Sequence, residues 1–166
     1  MRPRHRGIAS ERQRSRDRAM ADITAREPVE VGLAAAEANS ALILAGYEAF
    51  SRGDMAGVFA RFANDILWHV PGRGPLSGDY RGHAEVLAFF QRFMELSGGT
   101  FRLTIDNVFA RGNQVVVLST QSAERGGTRW SSPQVEVWTV KEGRASVYWQ
   151  FQGDQQAEDE FWALPV

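Results

Sequence analysis

Trp68-His69-Val70-Pro71-Gly72-Arg73-Gly74-Pro75-Leu76-Ser77-Gly78-Asp79-Tyr80-Arg81-Gly82 is the stretch on which the reading of this chain turns. Ile66, Leu67, Trp68 and Val70 enter it as a strand, Pro71-Gly72 and Gly74-Pro75 break that strand, and Gly78 and Gly82 carry a loop into a helix. A strand opening through an irregular loop into a helix is a place where a pocket has its mouth. Neighbours on a strand point to opposite faces, so Trp68 and Val70 share one side and His69 takes the other or the rim beside Pro71.

Helices precede this stretch. Leu42, Ile43, Gly46, Ala49 and Phe50 recur at helical spacing behind a cap at Asn39 or Ser40, and Arg52-Gly53 ends the run. Asp54 caps a shorter helix carrying Met55, Val58, Phe59 and Phe62. From Gly82 to Leu96, Val86, Leu87, Phe89, Phe90, Phe93 and Met94 form a broad apolar stripe that Gly98-Gly99 terminates. The pattern then changes to strands: Phe101 to Val108, a turn at Gly112-Asn113, Gln114 to Gln121, Arg129 to Val140, a hairpin at Lys141-Glu142-Gly143, and Arg144 to Gln152. Pro133 suggests an edge or an irregularity in the third of these. Gly153-Asp154 starts a last short helix that ends near Trp162. Helices grouped ahead of a strand meander predict an α+β domain, with the helices on one face of a largely antiparallel sheet. Val147, Trp149 and Phe151 would line the other face, leaving apolar surface for a partner, most simply a second copy of the chain.

Composition bounds the function. The chain of 166 residues, 43% hydrophobic, suits one domain, and no apolar run approaches a bilayer-spanning length. With no cysteine, disulfides and thiol chemistry are excluded, and the three histidines His5, His69 and His83 form no ligand cluster, so a cytosolic protein without metal or cofactor is expected. The formal net charge of -1 conceals seven arginines before Met20, opposed only by Glu11 and Asp17. Residues 1–38 read as a disordered Arg-rich tail and linker, with Met20 a candidate functional start, and 39–163 as the domain. The tail lacks interleaved aromatics and no nucleic-acid motif follows it, which speaks against nucleic acid as a partner.

Four phrases together carry a family resemblance: Tyr47-Glu48-Ala49-Phe50-Ser51-Arg52-Gly53-Asp54, Phe62-Ala63-Asn64-Asp65, Trp68-His69-Val70-Pro71-Gly72 with Leu76-Ser77-Gly78-Asp79-Tyr80-Arg81-Gly82, and Val137-Trp138-Thr139-Val140-Lys141-Glu142-Gly143-Arg144. The chain resembles the SnoaL-like group of the nuclear-transport-factor-2-like superfamily, which also contains ketosteroid isomerase. The resemblance covers about residues 39–163. It implies a cone-shaped barrel in which a curved sheet wraps around three N-terminal helices, with a short C-terminal helix, an internal cavity and dimerisation through the outer sheet face. It does not imply one chemistry.

Carried over residue by residue, the isomerase pattern places its base at Val70, just before Pro71, where no carboxylate stands. Its oxyanion tyrosine falls at Gly46, with Tyr47 one position along and turned by about 100° on the helix. Its second acid falls at Glu136 when counted from Gly143 and at Val135 when counted from Pro133; Glu136 is the reading adopted. The cyclases of the resembling group are said to use an acid on the last strand, and the nearest here is Asp154, which also reads as a helix cap.

The candidate catalytic residues are therefore Glu136, His69 and Asp154. Glu136 shares a strand face with Gln134 and Trp138; if that face lines the cavity, burial raises its pKa and suits it to proton transfer. His69 is a candidate proton shuttle. Trp68, Val70, Tyr47, Tyr80, Trp138, Tyr148 and Gln150 are the candidate pocket lining. The expected function is cofactor-independent acid/base chemistry, such as isomerisation, cyclisation or hydrolysis, on a hydrophobic ring or polyketide-like compound. The alternative is ligand binding in the same cavity without turnover.

Overall fold

The computed structural model describes residues 33–165. The Arg-rich segment, Met20 and the linker as far as residue 32 lie outside the described residues. Helix α1 spans Leu33–Ser51 and begins ahead of the expected Asn39 or Ser40 cap. Leu33-Ala34-Ala35-Ala36-Glu37-Ala38 is a run of strong helix formers, and propensity extends the helix through it. Asn39 reaches across to the sheet instead, its Nδ2 donating to Gly112 O at 2.8 Å. Helix α2, Met55–Phe59, is capped by Asp54, whose carboxylate accepts from Gly57 N at 2.8 Å.

Strand β1 (Phe62–Val70) leads to β2 (Gly78–Arg81), helix α3 (Gly82–Ser97), β3 (Arg102–Arg111), β4 (Gln114–Arg125), β5 (Thr128–Lys141), β6 (Arg144–Gln152) and helix α4 (Gln155–Trp162). The six strands form one sheet in the order β2-β1-β6-β5-β4-β3. All neighbours run antiparallel except β1 and β6, which are parallel, so the sheet is mixed, and β2 and β3 leave it open at two edges. Strand β2 forms where the sequence reads as loop; it pairs Tyr80 with Trp68 and Asp79 with His69.

Register shifts between Ile105 and Asn107 in β3, between Thr139 and Val140 in β5, and between Phe62 and Leu67 in β1 bend the sheet. Helices α1 and α3 pack on the sheet, α1 against β3 and β4 and α3 against β1 and β2. The core runs from Ile43 and Ala49 through Trp68, Val86, Phe89, Phe90 and Phe93 to Val115, Trp138 and Tyr148. Among the described residues no helix is long and apolar enough to cross a membrane.

Pro133 lies on an interior strand, not an edge, but at the point where β6 runs out: the last β5–β6 pair is Gln134 with Gln152. Its carbonyl accepts from Gly153 N at 3.1 Å, so its missing N–H points to the same vacated side and costs no ladder bond.

The loop of the opening stretch is tied to α4. Asp159 accepts from Arg73 N at 2.8 Å and Gly74 N at 3.2 Å, and Gln155 Nε2 donates to Pro71 O at 3.4 Å. Gly72 has φ 101°, and a Cβ there would meet Gln155 Nε2 at 2.2 Å, so only glycine lets the loop lie this close to the helix.

Candidate functional site

The bent sheet and the helices enclose a cavity of about 90 Å³. Its wall starts with three aromatic residues abreast on the inner face, because Trp68 pairs with Tyr148 and Tyr148 with Trp138 on successive strands. Trp68 and Tyr148 stack with ring centroids 3.8 Å apart and an interplanar angle of 19°, and Trp138 tilts against Tyr148 at 4.6 Å. Phe89, Phe90 and Phe93 of α3, Leu42 and Phe50 of α1, and Trp162 of α4 complete an apolar enclosure.

Moving along the same inner face toward α4, the next pair is Glu136 opposite Gln150, and the next Gln134 opposite Gln152. Thus the face changes from aromatic to polar while staying buried. Glu136 is 1% exposed. Its Oε1 accepts from Ser119 Oγ and Gln121 Nε2, both at 2.9 Å, and its Oε2 accepts from the Tyr47 hydroxyl. Trp138 Nε1 in turn donates to the Tyr47 oxygen at 3.0 Å. Burial pushes the Glu136 carboxyl up to about 8, so at neutral pH it keeps its proton most of the time.

A second chain of hydrogen bonds ends on a second buried carboxyl. The Tyr148 hydroxyl donates to Gln150 Oε1 at 3.2 Å, Gln150 Nε2 to Gln134 Oε1 at 3.3 Å, and Gln134 Nε2 to Glu158 Oε2 at 3.3 Å. Glu158 is 5% exposed, and burial pushes its carboxyl up, with the Gln134 bond opposing. Burial, then the charges of Glu136 and Glu158, push the Tyr148 phenol well up, so it remains a donor. Among the described residues no group of three or more His, Asp or Glu side chains is arranged to hold a metal ion.

Of the residues singled out from sequence, Glu136, Trp68, Val70, Tyr47, Trp138, Tyr148 and Gln150 all line the cavity. Three others stand outside it. His69 lies on the outer sheet face, its Nδ1 paired with Asp79 and its ring against Trp149 at 4.2 Å, because alternation turns it away from Trp68. Asp154 is the exposed N-cap of α4 and accepts from Ala157 N at 3.0 Å. Tyr80 belongs to an edge strand; its ring packs on Phe89 and its hydroxyl donates to Leu76 O at 2.8 Å, at the rim.

The sequence reading missed Ser119, Gln121 and Glu158. The first two had a signal: they continue the inward set Val115, Val117, Ser119, Gln121, Ala123 on β4. Glu158 had one too, since it precedes Phe161 and Trp162 by three and four positions, on the same buried face of α4.

The family model described as a SnoaL-like domain matches residues 43–148. Among solved structures, the chain is similar to Bal32a from a soil-derived mobile gene cassette, at 34% identity and TM-score 0.73, covering 76% of this chain and 98% of the other. A nuclear-transport-factor-2-like protein of unknown function from Burkholderia pseudomallei is 30% identical with TM-score 0.69, over 76% and 98% of the two chains. TerC, solved with polyporic acid, is 27% identical with TM-score 0.69, over 76% and 99%. The aromatic-walled cavity under a bent mixed sheet and the match across most of the domain lead to one assignment: the chain belongs to the SnoaL-like domain family, on the nuclear-transport-factor-2-like fold.

Proposed function

We propose that the protein binds a hydrophobic ring compound in this cavity and acts on it by cofactor-independent acid/base chemistry, with Glu136 as the proton store and the Tyr47 hydroxyl as the group presented to the ligand. The observation that carries this is the buried Glu136 carboxyl, bonded to Ser119, Gln121 and Tyr47 in the wall of an otherwise apolar cavity. When Glu136 is protonated, its O–H can donate to Tyr47, which already accepts from Trp138, and the Tyr47 proton turns free for a ligand oxygen. When Glu136 is ionised, Tyr47 donates back to it. The pair can therefore give a proton and recover one without a metal or cofactor, as isomerisation, cyclisation or hydrolysis of a ring compound requires. His69 and Asp154 have no part in this reading, because neither reaches the cavity.

Polyporic acid in TerC supports a ring compound as the ligand class. A cavity of roughly 150 Å³ admits benzene, so at about 90 Å³ this one is tight even for a single ring and has to widen to take a ligand. A polyketide-sized ligand enters when the Pro71–Ser77 loop and α4 part. Binding without turnover is the second reading, favoured by the apolar Val70 at the position where the isomerases of the superfamily carry their base. We also propose a cytosolic homodimer formed through the outer sheet face, where Phe109, Val116, Val137 and Trp149 stand in one row across four strands.

Mass spectrometry of small molecules that copurify with the protein, followed by turnover assays on those found and on polyporic acid, tests the main reading. Glu136→Gln is expected to lower turnover by roughly 10²- to 10⁴-fold while leaving binding nearly unchanged. A bound compound returned unaltered by the wild-type protein supports the binding reading, and turnover that survives Glu136→Gln removes Glu136 from the chemistry.

A further inference from the structure

A second pocket, of about 440 Å³, shares Trp162 with the cavity as a wall. Pro75 of the loop, Leu96 of α3, and Ala163, Leu164 and Pro165 beyond α4 give it apolar sides, and its charged lining is Arg92 and Arg125. Among the described residues no acidic side chain lines it.

Arg125 is the unusual member. It is the last residue of β4 and continues the inward set that runs from Val115 to Ala123, so alternation turns it inside, where it is 6% exposed. A guanidinium does not give up its proton in a protein, so the whole charge is buried. Its Nη1 donates to Trp162 O at 2.7 Å and its Nη2 to Leu164 O, while its Nε is buried without a partner. Those carbonyls lie at the end of α4, and a helix C-terminus offers only about half a negative charge. The bonds anchor α4, but they fall short of the charge they meet.

Among the described residues no carboxylate makes up the difference. On the elements that frame the pocket, Glu124 is paired with Arg129 at 3.0 Å, Glu95 with Arg92 at 3.3 Å, and Asp159 accepts from the loop N–H groups of Arg73 and Gly74. Arginine is almost never this deeply buried without an acid beside it.

We propose that this pocket is a binding site for a carboxylate on an apolar body. The carboxylate completes Arg125, Arg92 at the exposed rim adds a second cation, and Leu96, Trp162 and Leu164 take the apolar part. A single buried cation among apolar walls suits a monoanion better than a phosphate dianion. The site goes beyond the ring chemistry of the cavity and stands without it, since neither Glu136 nor Tyr47 takes part.

Hexanoate tests it, because it brings no ring for the cavity. Titrated into the full-length protein and followed by nuclear magnetic resonance of the Trp162 indole N–H, hexanoate is expected to bind roughly ten-fold or more tightly than hexanamide, and more tightly than inorganic phosphate. Ala163→Glu supplies a carboxylate from an exposed position in the lining itself, and should weaken hexanoate by roughly ten-fold or more. Arg125→Lys keeps the charge and loses the planar fork, and should weaken it as well. If that variant fails to fold because α4 loses its anchor, Ala163→Glu carries the test.

Equal binding of acid and amide, no binding of either, phosphate binding as tightly as hexanoate, or a hexanoate affinity untouched by Ala163→Glu overturns the site. So does hexanoate binding that appears only when residues are added after Val166, because a carboxylate of the chain itself is then the occupant. None of these outcomes bears on the ring-binding reading of the cavity.

Discussion

The two faces of the same strands carry opposite chemistry, and in the unusual sense. On the inner face of β5 and β6, away from solvent, stand Gln134, Glu136 and Gln150; on the outer face, in solvent, stand Val135, Trp149 and Phe151, exposed by 38%, 39% and 51%. A sheet that only had to fold would carry the apolar set inside and the polar set outside. Here the polar half of the inner face is buried at a cost that burial alone does not repay, and the apolar outer face is left in water. The proposed ligand would complete the inner face and the proposed second copy the outer one.

Breaking the inner face should cost most. Trp68 stacks on Tyr148 and touches Phe62, Phe89, Phe90 and Trp138, so Trp68→Ala is expected to remove about 3–5 kcal/mol of stability in chemical denaturation. An effect smaller over any single pH unit sharpens the contrast through protons. The Glu136 carboxyl is raised from 4.5 to about 8, so between those values the folded state holds more protons than the unfolded one. Stability should therefore fall as pH rises through that window, by up to about 1.4 kcal/mol per pH unit, and level off above it. Glu158 acts in the same direction. Urea denaturation from pH 4 to 9 should show the fall, and Glu136→Gln should flatten most of it; an unchanged slope would mean that Glu136 is ionised in the fold.

The outer face should respond least in stability and most in assembly. Trp149→Glu with Phe151→Glu is expected to change monomer stability by less than about 0.5 kcal/mol for each substitution. In sedimentation or size-exclusion measurements, however, it should convert a dimer to a monomer. A wild-type chain that sediments as a monomer at high concentration would end the proposal for this face.

Much of this contrast is legible in the sequence. Alternation puts Trp68 and His69 on opposite faces, and Gln134, Glu136 and Trp138 on one. Beyond the reach of periodicity were the contacts that alternation does not encode. Strand β2 is short and lies among loop residues, and it exists because β1 offers it a partner. Tyr47, one position off the inherited pattern, reaches Glu136 because α1 packs on β3 and β4. Tyr80 looked equal to the other aromatics in sequence, but an edge strand holds it away from the cavity, whereas Asp154 is held away by the helix cap that its sequence already announces.

The amino-acid sequence by itself determined the order of helices and strands apart from β2, the turns, and which residues share a strand face, because helical and strand periods are written in residues a few positions apart. Only the tertiary structure decided that β6 lies parallel to β1, that α4 folds over the cavity to bring Glu158 to Gln134, and that Glu136 is buried deeply enough to keep its proton at neutral pH. Those outcomes depend on segments far apart in the chain, whose pairing is set by the packing of the whole domain.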